Sequence, residues 1–255
     1  MRINKYGLSR DIDEPTKREI RQRCGFWCVN CWCYIYEYEH IEPTFENAKK
    51  HEANKITLLC WSCHNYVTRR IWSKDQIKEL NKNPKCLQEW FSNGILWHSP
   101  ICPIIYLWNN VFINTFNIIT INNKSILKIE PPRQKWESFL LSASFYNDEW
   151  IEVLVIKKNE IKIKNDNWDI ETSWNTLKIR KWKWNFTLII KNEWWEKIYI
   201  EQIDMTCNWN RIFWNIKNTF SFETINGTSW ILMWITYDWW WNLGWIKINR
   251  GRLTM

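Results

Sequence analysis

Two cysteine pairs, each with two residues between its members, are the strongest chemical signal in the sequence. They are Cys28 with Cys31 and Cys60 with Cys63. Each pair can supply two thiolates to a tetrahedral Zn²⁺, and the 28 residues between the pairs must fold back to bring the four sulfurs together. Nine cysteines without a recognisable secretion signal favour a metal site over disulfides. We therefore expect one structural zinc ion, with Cys24 and Cys33 as alternative ligands.

Four further polar residues lie between or beside these pairs. In chain order they are Glu39, His40, Asn54 and His64. The arrangement runs from a cysteine pair through an acid-His-Ile-x-Pro segment and an Asn before an apolar strand to a second cysteine pair followed by His. Over about residues 15 to 80 it resembles the motif of the HNH endonucleases. The resemblance implies a zinc-stapled ββα-metal nuclease module.

By this resemblance, His40 is the general base of phosphodiester hydrolysis and Asn54 is the residue that fixes His40. The chemistry suits an imidazole, because a water molecule must lose a proton near neutral pH and the ordinary pKa of histidine is about 6.5. His51 and His98 match no position of the motif, and we expect both at the surface.

The resemblance also makes Glu39 and His64 the ligands of one catalytic divalent cation, Mg²⁺ or another. A cation held by one carboxylate and one imidazole keeps positions open for water and phosphate, and it stabilises the negative charge of the reaction. Because the family commonly has Asp at this point, Glu37 and Glu42 stay open as alternatives to Glu39.

The elements that would position these residues can be predicted from periodicity and capping. Asp13 and Pro15 favour a helix up to Arg23, and Ser73 favours another helix beyond the second cysteine pair. Alternation predicts a strand over residues 34–39, and apolar residues predict a second strand over 56–59, followed by a short helix over 64–70. Arg69 and Arg70, at the end of that helix, are candidates for contacts with nucleic-acid phosphates.

Beyond residue 95 the sequence consists mainly of short strand-like segments separated by Asn, Asp, Trp or Gly. We predict strands over 127–130, 151–157, 160–164, 176–180, 186–191, 197–203, 220–225 and 231–237. Regular short strands favour an all-β sandwich, barrel or solenoid. The predicted fold is therefore α+β: an HNH module over residues 1–95, followed by a β-rich domain over 96–255 as a candidate for substrate or partner recognition.

Composition narrows the classes of function. The hydrophobic fraction of 45% and the charged fraction of 24% exclude collagen, coiled coil and wholesale disorder. The net charge of +8 suits a polyanionic partner, and we expect DNA, with RNA as the open alternative. No segment predicts a membrane span, and a cytoplasmic location is expected. A non-catalytic zinc module that binds nucleic acid or protein is the competing interpretation.

Tryptophan is abundant where glycine is expected. The chain has 23 Trp and 6 Gly, whereas an average share of about 7% would give roughly 18 Gly. Many Trp occupy turn contexts that need positive φ, including Trp32, Trp61, Asn208-Trp209-Asn210 and the run 239–241. We hypothesise that UGA codons, which some bacterial lineages read as glycine, were translated here as tryptophan.

Overall fold

A computed structural model describes residues 3–89, 92–93, 103–107, 110–121, 123–134, 137–147, 149, 151–163, 168–182, 185–193, 196–207, 210–215, 220–223, 229–232, 246–249 and 252–254. The chain forms two compact units. Unit 1 comprises Met1–Gly94 together with Asp169–Trp174, and unit 2 comprises Ile95–Trp168 and Asn175–Met255. A few helices and a large β-rich part make up the structure, and the predicted α+β class is confirmed.

The helices are α1 (Glu14–Arg23), α2 (Trp61–Thr68), α3 (Lys74–Lys82) and α4 (Lys85–Glu89). The strands are β1 (Glu37–His40), β2 (Ile56–Leu59), β3 (Ser92–Asn93), β4 (Ile104–Leu107), β5 (Asn110–Phe112), β6 (Asn117–Ile121), β7 (Lys124–Glu130), β8 (Leu140–Tyr146), β9 (Glu152–Lys157), β10 (Glu160–Ile163), β11 (Asp169–Thr172), β12 (Thr176–Trp182), β13 (Asn185–Glu193), β14 (Lys197–Cys207), β15 (Asn210–Asn215), β16 (Phe220–Glu223), β17 (Ser229–Leu232), β18 (Ile246–Asn249) and β19 (Arg252–Thr254).

Side-chain caps fix the starts of the helices in unit 1. Asp13 accepts a hydrogen bond from the backbone N–H of Thr16 at the start of α1. Ser73 and Gln76 form a reciprocal capping box at the start of α3. These bonds satisfy N–H groups that have no partner inside the helix. The predicted starts of both helices are confirmed.

A two-stranded antiparallel sheet of β1 and β2 lies at the centre of unit 1. His40 pairs with Ile56, and Glu39 pairs with Thr57. Strand β2 is buried along its whole length. Its apolar side chains pack with fully buried residues of α1 and α3, among them Ile20 and Ile77, so a single core holds β2 and these two helices together.

Unit 2 contains two large sheets. In the first, strands follow the order β19-β18-β6-β7-β8-β9-β10, and in the second they follow β12-β13-β14-β15-β16-β17. Most neighbours are antiparallel, while β4 pairs in parallel with β14 and β18 pairs in parallel with β6. The described strands show no closed barrel. In the described part of the chain, no helix is long and apolar enough to cross a membrane.

Candidate active site and cysteine cluster

The four cysteines of the two predicted pairs converge in unit 1. Their sulfur atoms all lie within 4.8 Å of one another. Sγ of Cys31 lies 3.5 Å from Sγ of Cys60 and 3.7 Å from Sγ of Cys63. Ligands of a tetrahedral zinc ion with Zn–S bonds of about 2.3 Å lie roughly 3.8 Å apart. Cys28, Cys31, Cys60 and Cys63 can therefore hold a metal ion such as zinc.

The second cysteine pair lies at the start of α2, where the helix backbone holds its two sulfurs close together. Cys60 is the N-cap of α2, and its sulfur accepts a hydrogen bond of 3.4 Å from the backbone N–H of Cys63. Asn30 donates a second hydrogen bond, from Nδ2 to Sγ of Cys63. N–H groups directed at sulfur stabilise the thiolate form, which is the form that binds metal.

The four thiols influence one another strongly. Hydrogen bonds from Cys28 and Cys63 lower the pKa of Cys31 to about 4, whereas the neighbouring Cys28 raises the pKa of Cys60 to about 12. The pKa of Cys28 is also lowered, to about 7, because its hydrogen bond with Cys31, which raises it, is outweighed by those with Cys60 and Cys63. The thiolates of Cys28 and Cys31 are thus favoured over those of the second pair. Only a cation at the centre of the cluster would let all four sulfurs carry negative charge together.

The two alternative cysteine ligands lie outside this cluster. The thiol of Cys24 is buried next to the Thr57 hydroxyl, 3.7 Å away, and Cys33 donates from its sulfur to the carbonyl oxygen of Ile35.

Trp32 stands in the turn that closes the first pair, with a φ of 61°. Trp61 is the first residue of α2 and has ordinary helical backbone, contrary to the expectation of a positive-φ turn there. Trp209 and the run 239–241 lie outside the described residues.

A second cluster surrounds His64, on the side of β1 that meets α2. Alternation along β1 puts Glu37 and Glu39 on the same face of the strand. Nδ1 of His64 lies 2.8 Å from Oε2 of Glu37, and Nε2 lies 3.1 Å from Oε2 of Glu39. Glu42, the third alternative acid, instead pairs with Lys78.

The contacts of His64 bring two carboxylates to the two nitrogens of one imidazole ring. A neutral imidazole donates one hydrogen bond only, so one of its two nitrogens would direct a lone pair at a carboxylate. We assign the ring N–H to Nδ1, which donates to Glu37, because this is the shorter of the two contacts. The lone pair of Nε2 and the carboxylate of Glu39 then face one point, where both could bind a cation. The residues present thus fit a divalent cation at this point.

Lys74 ties the second cluster to α3. Its Nζ contacts Oε1 of Glu39 and donates a hydrogen bond of 2.9 Å to the carbonyl oxygen of His40. Lys74 is the first residue of α3, where Ser73 caps the helix. The capping box therefore fixes the residue that holds both the Glu39 carboxylate and the end of β1.

His40 lies in a different environment from His64. Its side chain is buried, and its ring packs against the ring of Phe45 in a T-shaped arrangement with a centroid distance of 5.5 Å. Burial of the ring lowers the pKa of His40 to about 4. At neutral pH the ring is therefore uncharged and able to accept a proton.

The ring that contacts His40 belongs to His51. Nδ1 of His51 lies 3.2 Å from Nε2 of His40, and Nε2 of His51 lies 2.9 Å from the carbonyl oxygen of Ser9. Asn54 lies in a short 3₁₀ helix, is exposed, and makes no hydrogen bond to His40 within the described residues. The expectation of His51 at the surface, apart from the site, is wrong. His40 ends β1 and His51 lies in the loop that follows, so no helix or strand period relates the two residues and no sequence pattern indicated the contact.

The candidate phosphate contacts are accessible. Arg69 follows the last residue of α2 as its C-cap, and both Arg69 and Arg70 are exposed. An open groove of about 760 Å³ begins at this point, and its lining includes Arg70, Ile71 and Lys74. His98 lies outside the described residues.

A buried ion pair completes unit 1 from a distant part of the chain. Arg21 of α1 donates two hydrogen bonds of 2.9 Å to the two carboxylate oxygens of Asp169 in β11, and both side chains are fully buried. Arg21 also donates to the hydroxyl of Tyr38, which stands on β1 between the two site glutamates. The strand that carries the site is thereby linked through Arg21 to residues 169–174.

We compared the chain with protein families, with curated proteins and with solved structures, and nothing matched. The resemblance to the HNH endonucleases therefore rests on the residues themselves. Its main support is the spacing of the cysteine pairs and the positions of Glu39, His40 and His64 in the motif.

Proposed function

We propose that this protein is an HNH-type endonuclease that hydrolyses phosphodiester bonds in DNA with the help of a divalent metal ion. The observation that carries the proposal is the meeting of Glu39 and His64, from β1 and α2, with Oε2 and Nε2 3.1 Å apart. Two ligands of one Mg²⁺ ion, with bonds of about 2.1 Å at right angles, lie roughly 3 Å apart. A structural zinc held by four cysteines needs neither residue.

The contact between Glu37 and His64 supports the same assignment. A histidine that ligates a metal usually donates its other ring N–H to a carboxylate, which fixes the tautomer and the orientation of the ring. Glu37 occupies that position on Nδ1 of His64. Glu39 and His64 would hold the cation, and Glu37 would orient His64. Such a cation, when bound, stabilises the negative charge on the phosphate and on the leaving oxygen.

His40 is the proposed general base. Burial favours the neutral ring, which is the form that can accept a proton from water, and at the same time it lowers the pKa of the ring and makes it a weaker base. His40 follows Glu39 directly on β1, and Lys74 contacts both residues. The base and the proposed metal ligand are therefore held by the same short strand.

DNA is the proposed substrate because the chain carries a net charge of +8 and because exposed arginines follow the site. Arg69 and Arg70 lie at the end of the helix that begins beside the cysteine cluster and carries His64. Arginine side chains in such positions contact phosphates without reading sequence. A zinc ion held by the four cysteines would keep the start of this helix in place.

Cleavage of supercoiled plasmid DNA by the full-length protein in Mg²⁺ or Mn²⁺ tests the proposal. We expect nicked or linear product, and we expect His40→Ala to reduce the rate by about 10² to 10⁴. Glu39→Gln should raise the Mg²⁺ concentration required for cleavage. Glu42→Gln is the matched control and should leave this concentration unchanged, since Glu42 pairs with Lys78 and, among the described residues, forms no contact with His64. Glu37→Ala should lower the affinity for Mg²⁺, and so raise the Mg²⁺ concentration required for cleavage, by about 10- to 100-fold.

Preparations of His40→Ala made in the same way exclude a contaminating nuclease as the source of activity. Cleavage by His40→Ala at the parental rate would refute the assignment of the base. Binding of DNA without cleavage in any divalent metal would favour the non-catalytic zinc module, and cleavage of RNA alone would correct the substrate.

A further inference from the structure

We propose that His51 is a positioning residue that fixes the tautomer of His40 and leaves Nδ1 of His40 as the nitrogen that accepts the proton. This inference rests on the proposed function of His40 as the base. It assigns to His51 the role that the sequence motif implied for Asn54, which is exposed and does not contact His40 within the described residues.

The first step concerns the protonation of His51. Its Nε2 lies 2.9 Å from the carbonyl oxygen of Ser9. A carbonyl oxygen only accepts hydrogen bonds, so the proton of this bond must be on Nε2 of His51. In a neutral ring the other nitrogen, Nδ1, is then an acceptor.

The second step carries this assignment to His40. Nδ1 of His51 lies 3.2 Å from Nε2 of His40, a hydrogen-bond distance. With Nδ1 as the acceptor, Nε2 of His40 must be the donor and must carry the proton. A neutral His40 then has its free lone pair on Nδ1.

The third step asks what reaches that lone pair. Within the described residues, no protein group forms a hydrogen bond to Nδ1 of His40. Phe45 packs against the ring in a T-shaped arrangement and limits its rotation, and His51 is itself tied to the backbone at Ser9. The ring is thus held in one tautomer and in one orientation, with a single basic nitrogen left for water. A chain of two imidazoles ending on a backbone carbonyl achieves this without a charged residue.

The tautomer can be measured without any nuclease activity. Long-range ¹H–¹⁵N correlation spectra of the full-length protein at neutral pH should show a protonated Nε2 and an unprotonated Nδ1 for His40. In His51→Leu we expect both tautomers of His40 to appear. Spectra of the parent protein with the proton on Nδ1 of His40 would overturn the proposal, whether or not the protein cleaves DNA.

Kinetics separate positioning from mere packing. His51→Leu replaces the imidazole with an apolar side chain of similar volume. We expect it to reduce kcat by about 10- to 100-fold, which is part of what a positioned base contributes, and to leave KM for DNA unchanged. His51→Asn offers an amide oxygen as the acceptor and should recover most of kcat. If His51→Leu cleaves as fast as the parent, or if His51→Asn is no better than His51→Leu, the proposal is wrong. Absence of cleavage by the parent would refute the proposed function alone, and the spectra would still decide the tautomer.

Discussion

The two histidines of the proposed active site differ because of their surroundings. His64 lies between two carboxylates, an arrangement in which one ring nitrogen and a carboxylate oxygen could hold a divalent cation. His40 is buried beside a second imidazole and an aromatic ring, and burial disfavours its charged form. The same side chain is therefore suited to hold a cation at one position and to accept a proton at the other.

A pH titration tests the environment of His40. Because its pKa is lowered to about 4, we expect its ring signals in NMR spectra to stay those of a neutral imidazole at pH 5.5. An unfolded chain binds this proton near pH 6.5. Between pH 6.5 and 4 the unfolded state therefore binds more protons, and the free energy of unfolding should fall as the pH falls.

His40→Gln removes this titrating ring. The free energy of unfolding of the variant, measured in urea, should therefore depend less on pH between 6.5 and 5 than that of the parent protein. Titration of His40 near pH 6.5 in the folded protein would contradict the burial of the ring and its contact with His51.

The motif predicted which residue types take part, but their partners needed the structure. Glu39 and His64 could be paired from sequence because the motif contains both. The contacts of Glu37 with His64 and of His51 with His40 depend on how β1 meets α2 and on where the loop after Pro43 returns. No sequence period encodes either of these features, and Asn is too common in this chain for Asn54 to stand out.

Trp32 provides a test of the glycine hypothesis. Its φ of 61° is costly for a bulky residue, by about 1 kcal/mol or more, and its buried indole N–H has no hydrogen-bond partner among the described residues. We expect Trp32→Gly to melt higher than the parent by about 2–4 °C for each kcal/mol gained. Trp61→Gly is the control: Trp61 is 72% exposed on helical backbone, so glycine there should bring no gain and cost up to about 1 kcal/mol. A lower melting temperature for Trp32→Gly would end the hypothesis for this position.

Among the elements, α2 combines two tasks. Its N-cap and its first turn supply two sulfurs of the cysteine cluster, and the next residue is His64. Capping residues and apolar runs predicted α1, α3 and β2 well, since these signals are local. Strand β1 begins at Glu37, three residues later than alternation predicted, and the four-residue strand β11 was not predicted. Short strands of this kind are defined by the neighbours with which they pair rather than by their own sequence.

Metal analysis tests the role of the cysteine cluster at this scale. We expect one zinc ion per chain and loss of the folded state of unit 1 when a chelator removes it, because the two pairs hold α2 to the loop after α1. Cys63→Ala should lose the metal. Cys33→Ala should retain it, because Cys33 lies outside the cluster and bonds to Ile35. Folded protein that contains no zinc, or equal loss of zinc in both variants, would count against the site.

At the scale of the whole molecule, unit 1 is not continuous in sequence. Asp169–Trp174 belong to it, although 74 residues separate Asp169 from Gly94. Thr172 also contacts the carbonyl oxygen of Tyr34, which lies just before β1. The change in sequence texture predicted a boundary near residue 95. Nothing in the sequence indicated that β11 belongs to unit 1, because Arg21, which pairs with Asp169 of β11, has the sequence context of any arginine on an exposed helix.

Removal of Asp169 should therefore damage the first unit. Asp169→Ala leaves the buried Arg21 guanidinium without its two hydrogen bonds of 2.9 Å and with the longer contact of 3.5 Å to the partly exposed Glu14, and we expect a loss of about 3–5 kcal/mol in the free energy of unfolding. Asp204→Ala is the matched control. Asp204 forms a similar two-bond pair with Arg211, but the arginine is 44% exposed, so the loss should stay within about 1 kcal/mol. Equal losses in the two variants, measured by urea denaturation, would show that the buried pair has no special weight.

The distance of 148 residues between Arg21 and Asp169 has a consequence for biosynthesis. A ribosome adds about 5–20 residues per second, so Asp169 is made roughly 7–30 s after Arg21. During this interval the guanidinium of Arg21 lacks its two hydrogen bonds of 2.9 Å to Asp169 and can contact only carboxylates made earlier, such as Glu14, whose Oε2 lies 3.5 Å from it in the folded protein. The buried ion pair can form only after the first part of the β-rich unit, Ile95–Trp168, has been synthesised. Stability of the first unit is thereby coupled to synthesis beyond Asp169–Trp174, and we expect a fragment that ends before residue 169 to hold β1 and the proposed active site less firmly.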